Sequence, residues 1–256
     1  MAKKKAGKNR KRRRRRGGTP VLLVLLCVII AAAAVITAMT IFFKIGQIRL
    51  TGDTRYTQQQ VAEATGLELG GNLILFDKNT VLRRLREKCP YLDSLQVRRR
   101  LPDTVEVIVT ECVPAAAIRW EGGWWLIDRE GKLLERQTSA PRNGLTEITG
   151  LTLVEPKAGA FAEIFEEDAK KPMILLLNTA EDDGILQDIG AMDFSQQYDI
   201  RFTYTERFTV KLGSTEELEK KLRFLHVIVE EKLGQNVTGE IDLSDPQKAR
   251  FVPKNN

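Results

Sequence analysis

The spacing of apolar positions divides this chain into three stretches of different character. Residues 21–43 are apolar throughout, with Thr37 and Thr40 as the only polar interruptions. A helix of that length spans about 34 Å, enough for a hydrocarbon core of about 30 Å. The run is longer than the apolar core of a cleaved signal peptide, and it lacks the polar face of a helix in a soluble protein. It reads as a single-pass transmembrane helix.

Beyond the span the apolar spacing changes. Residues 44–50 read as a strand carrying Ile45, Ile48 and Leu50, closed by a Thr51-Gly52-Asp53 turn. Thr57 and Gln60 stand in the T-x-x-Q capping pattern ahead of Val61, and Gly66 suits the position just past a helix end. Asp77 can cap a second helix, on which Leu82, Leu85 and Cys89 share one face until Pro90 stops it. Two strands follow around Pro102-Asp103. In the second, Val105, Val107 and Val109 share a face; in the first, Arg99 interrupts the face of Leu95, Val97 and Leu101. The order is β-α-α-β-β.

From Val113 onward the pattern becomes a meander, with strands over 115–120, 124–127 and 132–134 and turns at Glu121-Gly122-Gly123 and Asp128 to Gly131. A loop over 141–144 leads to a short strand over 147–150. A helix over 169–181 follows, its start expected late because of Pro172. Strands over 199–204 and 208–212 precede Ser214 and Glu217, an S-x-x-E capping box for a helix burying Leu218, Leu222, Leu225 and Val229. Residues 240–243 read as the final strand, broken by Pro246, with residues 246–256 as a tail. The fold class is α+β: one N-terminal transmembrane helix, a β-α-α-β-β unit over 44–112, and a mixed β-rich domain with helices over 113–245.

Charge sets the expected topology. The chain holds 40 Lys and Arg, of which eleven fall in residues 1–20, including Arg12, Arg13, Arg14, Arg15 and Arg16, with no acid among them. The remainder has 29 Lys and Arg against 34 Asp and Glu and is mildly acidic. A basic flank holds the N-terminus in the cytoplasm and sends residues 44–256 outward. It is also drawn to anionic membrane lipid. No aromatic residue is interleaved in the tail to stack on bases, so no nucleic-acid partner is expected.

Enzyme chemistry has little to stand on. His226 is the sole histidine, and the sequence around it offers no nucleophile motif. No Cys/His spacing suits a metal, and Gly70-Gly71 and Gly122-Gly123 lack a phosphate-loop context. Acidic pairs such as Asp182-Asp183 read as solvated loops rather than a glycosidase pair. Trp120, Trp124 and Trp125 read as sheet packing or as a partner patch. Cys27 lies in the span. Cys89 and Cys112 are compatible with a bridge, but two cysteines make no disulfide framework, and both read as buried small hydrophobes. No cofactor is expected.

Taken together, the residues resemble the FtsQ/DivIB family of bacterial division proteins. The resemblance rests on Leu50-Thr51-Gly52-Asp53-Thr54-Arg55, Asn72-Leu73-Ile74-Leu75-Phe76-Asp77 and Pro90-Tyr91-Leu92. It continues through Val97 to Val105, Glu111-Cys112-Val113-Pro114-Ala115 and Trp125 to Gly131. It is recognised over about residues 45–135 and again 210–251, and residues 137–193 carry no motif recognised as the family's. The resemblance implies a POTRA domain for 44–112. It also implies a non-enzymatic scaffold at the division septum, holding FtsL and FtsB (DivIC) partners to regulate septal peptidoglycan synthesis. On that basis Glu240, Ile241, Asp242, Leu243 and Ser244 are expected to form an exposed edge strand that adds a partner strand, with Arg250 and Phe251 closing over it. A POTRA-bearing secretion or assembly subunit is the alternative reading. It is disfavoured by the single such unit and the absence of barrel strands; a cell-wall enzyme is more remote.

Overall fold

The computed structural model describes residues 19–254 apart from 142, 143, 197 and 235. The basic segment containing Arg12 to Arg16 therefore lies outside the described residues, as do two positions of the expected 141–144 loop. Helix α1 runs over Thr19–Phe42, and its stretch Val21–Phe42 is long and apolar enough to cross a membrane. The hydroxyls of Thr37 and Thr40 donate to Ala33 O and Ile36 O one turn back, which satisfies both polar groups inside the helix.

The first sheet assembles β1 (Gln47–Thr51), β2 (Leu92–Arg100) and β3 (Thr104–Glu111) in the order β1-β3-β2, with α2 (Gln58–Thr65) and α3 (Lys78–Lys88) inserted between β1 and β2. This is the expected β-α-α-β-β order. Thr57 accepts from Gln60 N while its own N–H donates to Gln60 Oε1, a complete capping box, and Gly66 closes α2 at φ 63°. Asp77 caps α3 through the N–H groups of Asn79 and Thr80. Thr57→Ala should lower stability by about 1 kcal/mol, read as a shifted denaturant midpoint; an unchanged midpoint would mean the box contributes nothing.

β3 is the central strand, pairing in parallel with β1 and antiparallel with β2. Val105, Val107 and Val109 are all buried, as their spacing predicts. The helix face differs in one place: Val81 and Leu85 are the buried positions of α3, and Leu82 is only partly covered. Arg99 resolves its own conflict with the apolar face. Its guanidinium donates to Leu73 O at 2.9 Å and Phe76 O at 2.6 Å while lying over the Phe76 ring. Every donor–acceptor pair made there offsets the cost of bringing a cation to a half-buried place.

The second sheet has nine strands in the order β12-β11-β10-β9-β8-β7-β4-β5-β6. They are β4 (Ala116–Trp120), β5 (Gly123–Ile127), β6 (Leu133–Gln137), β7 (Thr146–Thr149), β8 (Ile189–Asp193), β9 (Ile200–Tyr204), β10 (Phe208–Gly213), β11 (Gly239–Asp245) and β12 (Lys248–Pro253). One face is covered by α4 (Glu167–Asp182) and α5 (Leu218–Val227), whose Met173, Leu176, Leu222 and Leu225 enter one continuous core with Ile118, Ile148, Phe202 and Val210. On the other face Ala117, Leu126 and Leu134 pack with Tyr91 and Cys112 at the junction with the first sheet. There the buried Lys132 ammonium donates to Leu92 O and to Cys112 Sγ. Both Cys89 and Cys112 are free and buried. Burial pushes the Cys112 thiol up to about 11 against the opposing pull of Lys132.

Three expectations are corrected. Pro172 lies inside α4 rather than delaying it, because the helix start is fixed by tertiary contacts: Glu166 accepts from the N–H and hydroxyl of Thr152, and Ala169 is buried. The capping box at Ser214 does not form; Glu217 takes the cap position at φ 48° without a side-chain capping bond, its carboxylate accepting from Lys220 instead. A bulge at the end of β10 spends Gly213 to Glu217 on a bend, and the buried Lys221 ammonium draws the carbonyls of Leu212 and Ser214 toward it. The third correction is the largest. Residues 248–253, expected as tail, are strand β12, and Pro246 occupies the β11–β12 hairpin instead of ending the sheet.

Candidate partner-binding edge

That last strand moves the candidate site. β11, expected at the edge, is internal: it pairs in parallel with β10 and antiparallel with β12, with Ile241 opposite Phe251 and Asp242 opposite Arg250. Its facing follows the alternation. Ile241 and Leu243 are buried under α5, while Glu240 and Ser244 are exposed and Asp242 half-exposed on the other face. Residues 240–242 are paired with a neighbouring strand on both sides and offer nothing to a further strand.

β12 is where the sheet order ends. Lys254 N donates to Thr238 O at 3.0 Å, which makes that pair a hydrogen-bonded one. By the alternation of antiparallel ladders, residues 250 and 252 then bond inward to β11, and residues 249 and 251 direct their N–H and C=O outward. Pro253, next in that outward series, has no N–H to give, which limits the free edge to a short segment.

Side chains on β12 divide between two environments. Lys248, Arg250 and Val252 are exposed on the face shared with Glu240 and Asp242. Burial opposes ionisation of Asp242, but hydrogen bonds from Ser244 Oγ and N, with Lys211 and Arg250 nearby, hold its pKa below the usual carboxylate range. On the helix side Phe251 is half-buried, its ring edge-on to Phe208 at 6.2 Å between centroids. Phe251 and Ala249 line a groove of about 570 Å³ with Phe224, Val227, Ile228 and Leu233, rimmed by Arg223 and Lys232. The last of these helical residues belong to a π-helical turn, Ile228–Lys232, that continues α5.

Of the residues singled out from the sequence, Arg250 and Phe251 thus lie on the open strand and Glu240 to Ser244 lie one strand inside it. Lys248, Ala249 and Val252, with the helical wall of the groove, are additions. The signal for them was present: Asp245-Pro246-Gln247 is turn-like, and the alternation of Lys248-Ala249-Arg250-Phe251-Val252 has strand character.

At the far end of the sheet the tryptophans pack it. Trp125 is buried, Trp120 Nε1 donates to Leu153 O, and Arg119 sits over Trp124. His226 is exposed on α5 beside Asp182, Asp183 and Glu219, and no group of three or more metal-ligating side chains comes together among the described residues.

Comparison with known proteins matches both units. Residues 43–111 fit a family described as POTRA domain, FtsQ-type, and residues 117–244 fit one described as Cell division protein FtsQ/DivIB, C-terminal. Cell division protein DivIB of Clostridium botulinum (strain Loch Maree / Type A3) is 23% identical over 208 residues, covering 79% of each chain. Cell division protein FtsQ of Corynebacterium glutamicum is 29% identical over 180 residues, 70% of this chain and 75% of the relative. Cell division protein FtsQ of Geobacter sp. (strain M21) is 26% identical over 219 residues, 83% and 77% respectively.

Proposed function

This chain belongs to the FtsQ/DivIB family of cell division proteins, and on that premise we propose that it is a non-enzymatic, membrane-anchored scaffold of the division machinery. In this reading α1 anchors it, its N-terminus is cytoplasmic, and its two sheet-bearing units lie outside, at the septum. There it holds partners of the FtsL and FtsB/DivIC type and so regulates septal peptidoglycan synthesis. The observation that carries the proposal is the outer edge of β12, which leaves outward backbone groups beside an apolar groove. An added strand gains main-chain hydrogen bonds from such an edge and specificity from its alternate side chains.

The edge also sets the partner's chemistry. Side chains of an added strand that point toward α5 would meet Phe224, Ile228 and Phe251, so apolar residues fit there. Those pointing the other way would meet Lys248 and Arg250, so acidic residues fit there. The purified chain should form a stable complex with FtsB/DivIC-type partners and leave glycan and peptide substrates untouched. Residues 44–256 that cleaved or joined glycan would overturn the scaffold reading.

Orientation has its own test. Protease added to intact protoplasts should remove the two folded units and leave only an N-terminal anchored fragment. Full protection of the chain would refute the proposed topology.

A further inference from the structure

We propose that the end of the first unit nearest α1 is a lipid-facing foot that rests in the interface of the membrane crossed by that helix. The inference rests on the anchored reading above and adds a second, peripheral membrane contact to it.

Four large apolar side chains are exposed between residues 44 and 111: Leu69, Ile74, Leu75 and Leu101, with Leu75 at 72% and Leu101 at 61%. Every one of them sits on a loop bonded directly to the chain as it leaves α1. Phe43 N still bonds Met39 O, so the helix ladder reaches Phe43, and Phe43 O already accepts from Leu73 N at 2.9 Å. Ile45 N donates to Gly71 O and Gly70 N to Ile45 O, which fixes the loop bearing Leu69, Ile74 and Leu75. Gly46 N donates to Asp103 O at 2.7 Å, which fixes the turn bearing Leu101. Arg99 ties that strand end to the same loop through Leu73 O and Phe76 O.

No linker therefore separates the span from the unit. Lys44 bridges to Asn72, and Leu75 is three residues farther on, within about 10 Å by chain length. With α1 in a bilayer, this apolar set falls at the headgroup boundary, where apolar side chains are favourably buried and cations meet anionic lipid. Lys44 is exposed beside it, with Glu68 and Asp77 exposed on the same loop, while the exposed Arg100 is paired with Glu106 at 2.8 Å. Asp77 already spends its carboxylate on the α3 cap. The patch thus joins exposed apolar side chains to the Lys44 ammonium, a combination that the headgroup boundary accepts.

The test places an environment-sensitive fluorophore on the full chain reconstituted in vesicles of zwitterionic and anionic phospholipid. Leu75→Cys and Leu101→Cys, each in a Cys27→Ala background, probe the foot. Phe165→Cys in the same background serves as the exposed control on the second unit, and the unmodified chain labelled at Cys27 reports the span. Blue-shifted emission at 75 and 101, with quenching by an aqueous agent several-fold below that at 165, is expected. Water-like emission at 75 and 101 with a shielded Cys27 would overturn the foot and leave the anchor standing. A water-exposed Cys27 would overturn both. Shielding at 75 and 101 that appears only after a second division protein is added would assign the patch to protein rather than lipid, and would also overturn the proposal.

Discussion

Val107→Asp is expected to abolish cooperative folding of the first unit. Val107 is fully buried at the middle of the central strand, opposite Leu50 on one side and Val97 on the other. The substitution forfeits an apolar side chain worth about 1.5–3 kcal/mol of burial. It also places a carboxylate where no donor is aimed at it, so the total loss should be on the order of 4 kcal/mol or more. Domains of this kind hold roughly 5–15 kcal/mol in all, and a small unit sits toward the low end. A thermal melt of residues 44–256 followed by circular dichroism should lose its transition for this unit. Retention of the wild-type midpoint would mean that the facing of β3 is wrong. Val105→Ala is the milder companion: it deletes buried methyl groups without adding charge, so it should lower the midpoint while the unit still folds.

Legibility in the sequence followed the range of the interaction that decides each element. The span, the Thr57 box, the Asp77 cap, the Val105–Val107–Val109 face and the meander of β4 to β6 are set by residues within a few positions of one another. They were readable for that reason. The start of α4 is set by Thr152, fourteen residues before Glu166, and the position of Arg99 is set by carbonyls more than twenty residues away. Neither is visible to a local rule. Ser214 failed for a different cause: the motif was real, but a bulge and the buried Lys221 claimed the same backbone. At the candidate site the alternation of Ile241 and Leu243 was legible and their strand's place in the sheet was not. Pro246 read as an end, whereas a proline suits a hairpin turn as well as a break. The groove wall on α5 and its π turn comes from helix packing against β12, which depends on the whole topology.

The second large effect concerns that edge. Asp242 and Ser244 lie in an internal strand, so proline there would damage the sheet itself; the informative positions are on β12. Ala249→Pro removes one outward donor and leaves the inward bonds of residues 250 and 252 in place. Phe251→Ala removes the apolar wall between the edge and the groove, at some cost to its contact with Phe208. Each should weaken binding of a FtsB/DivIC-type partner by roughly tenfold or more, about 1.4 kcal/mol. Arg250→Glu should weaken it in a salt-dependent way, since it reverses an exposed charge beside the added strand.

The scaffold account meets its most direct test in a titration of the purified chain with such a partner, comparing wild type with Ala249→Pro. The account predicts an affinity at least tenfold lower for Ala249→Pro, with circular dichroism and thermal midpoint near wild type. Equal affinities for the two proteins, with the variant fully folded, would contradict it and place the partner away from β12.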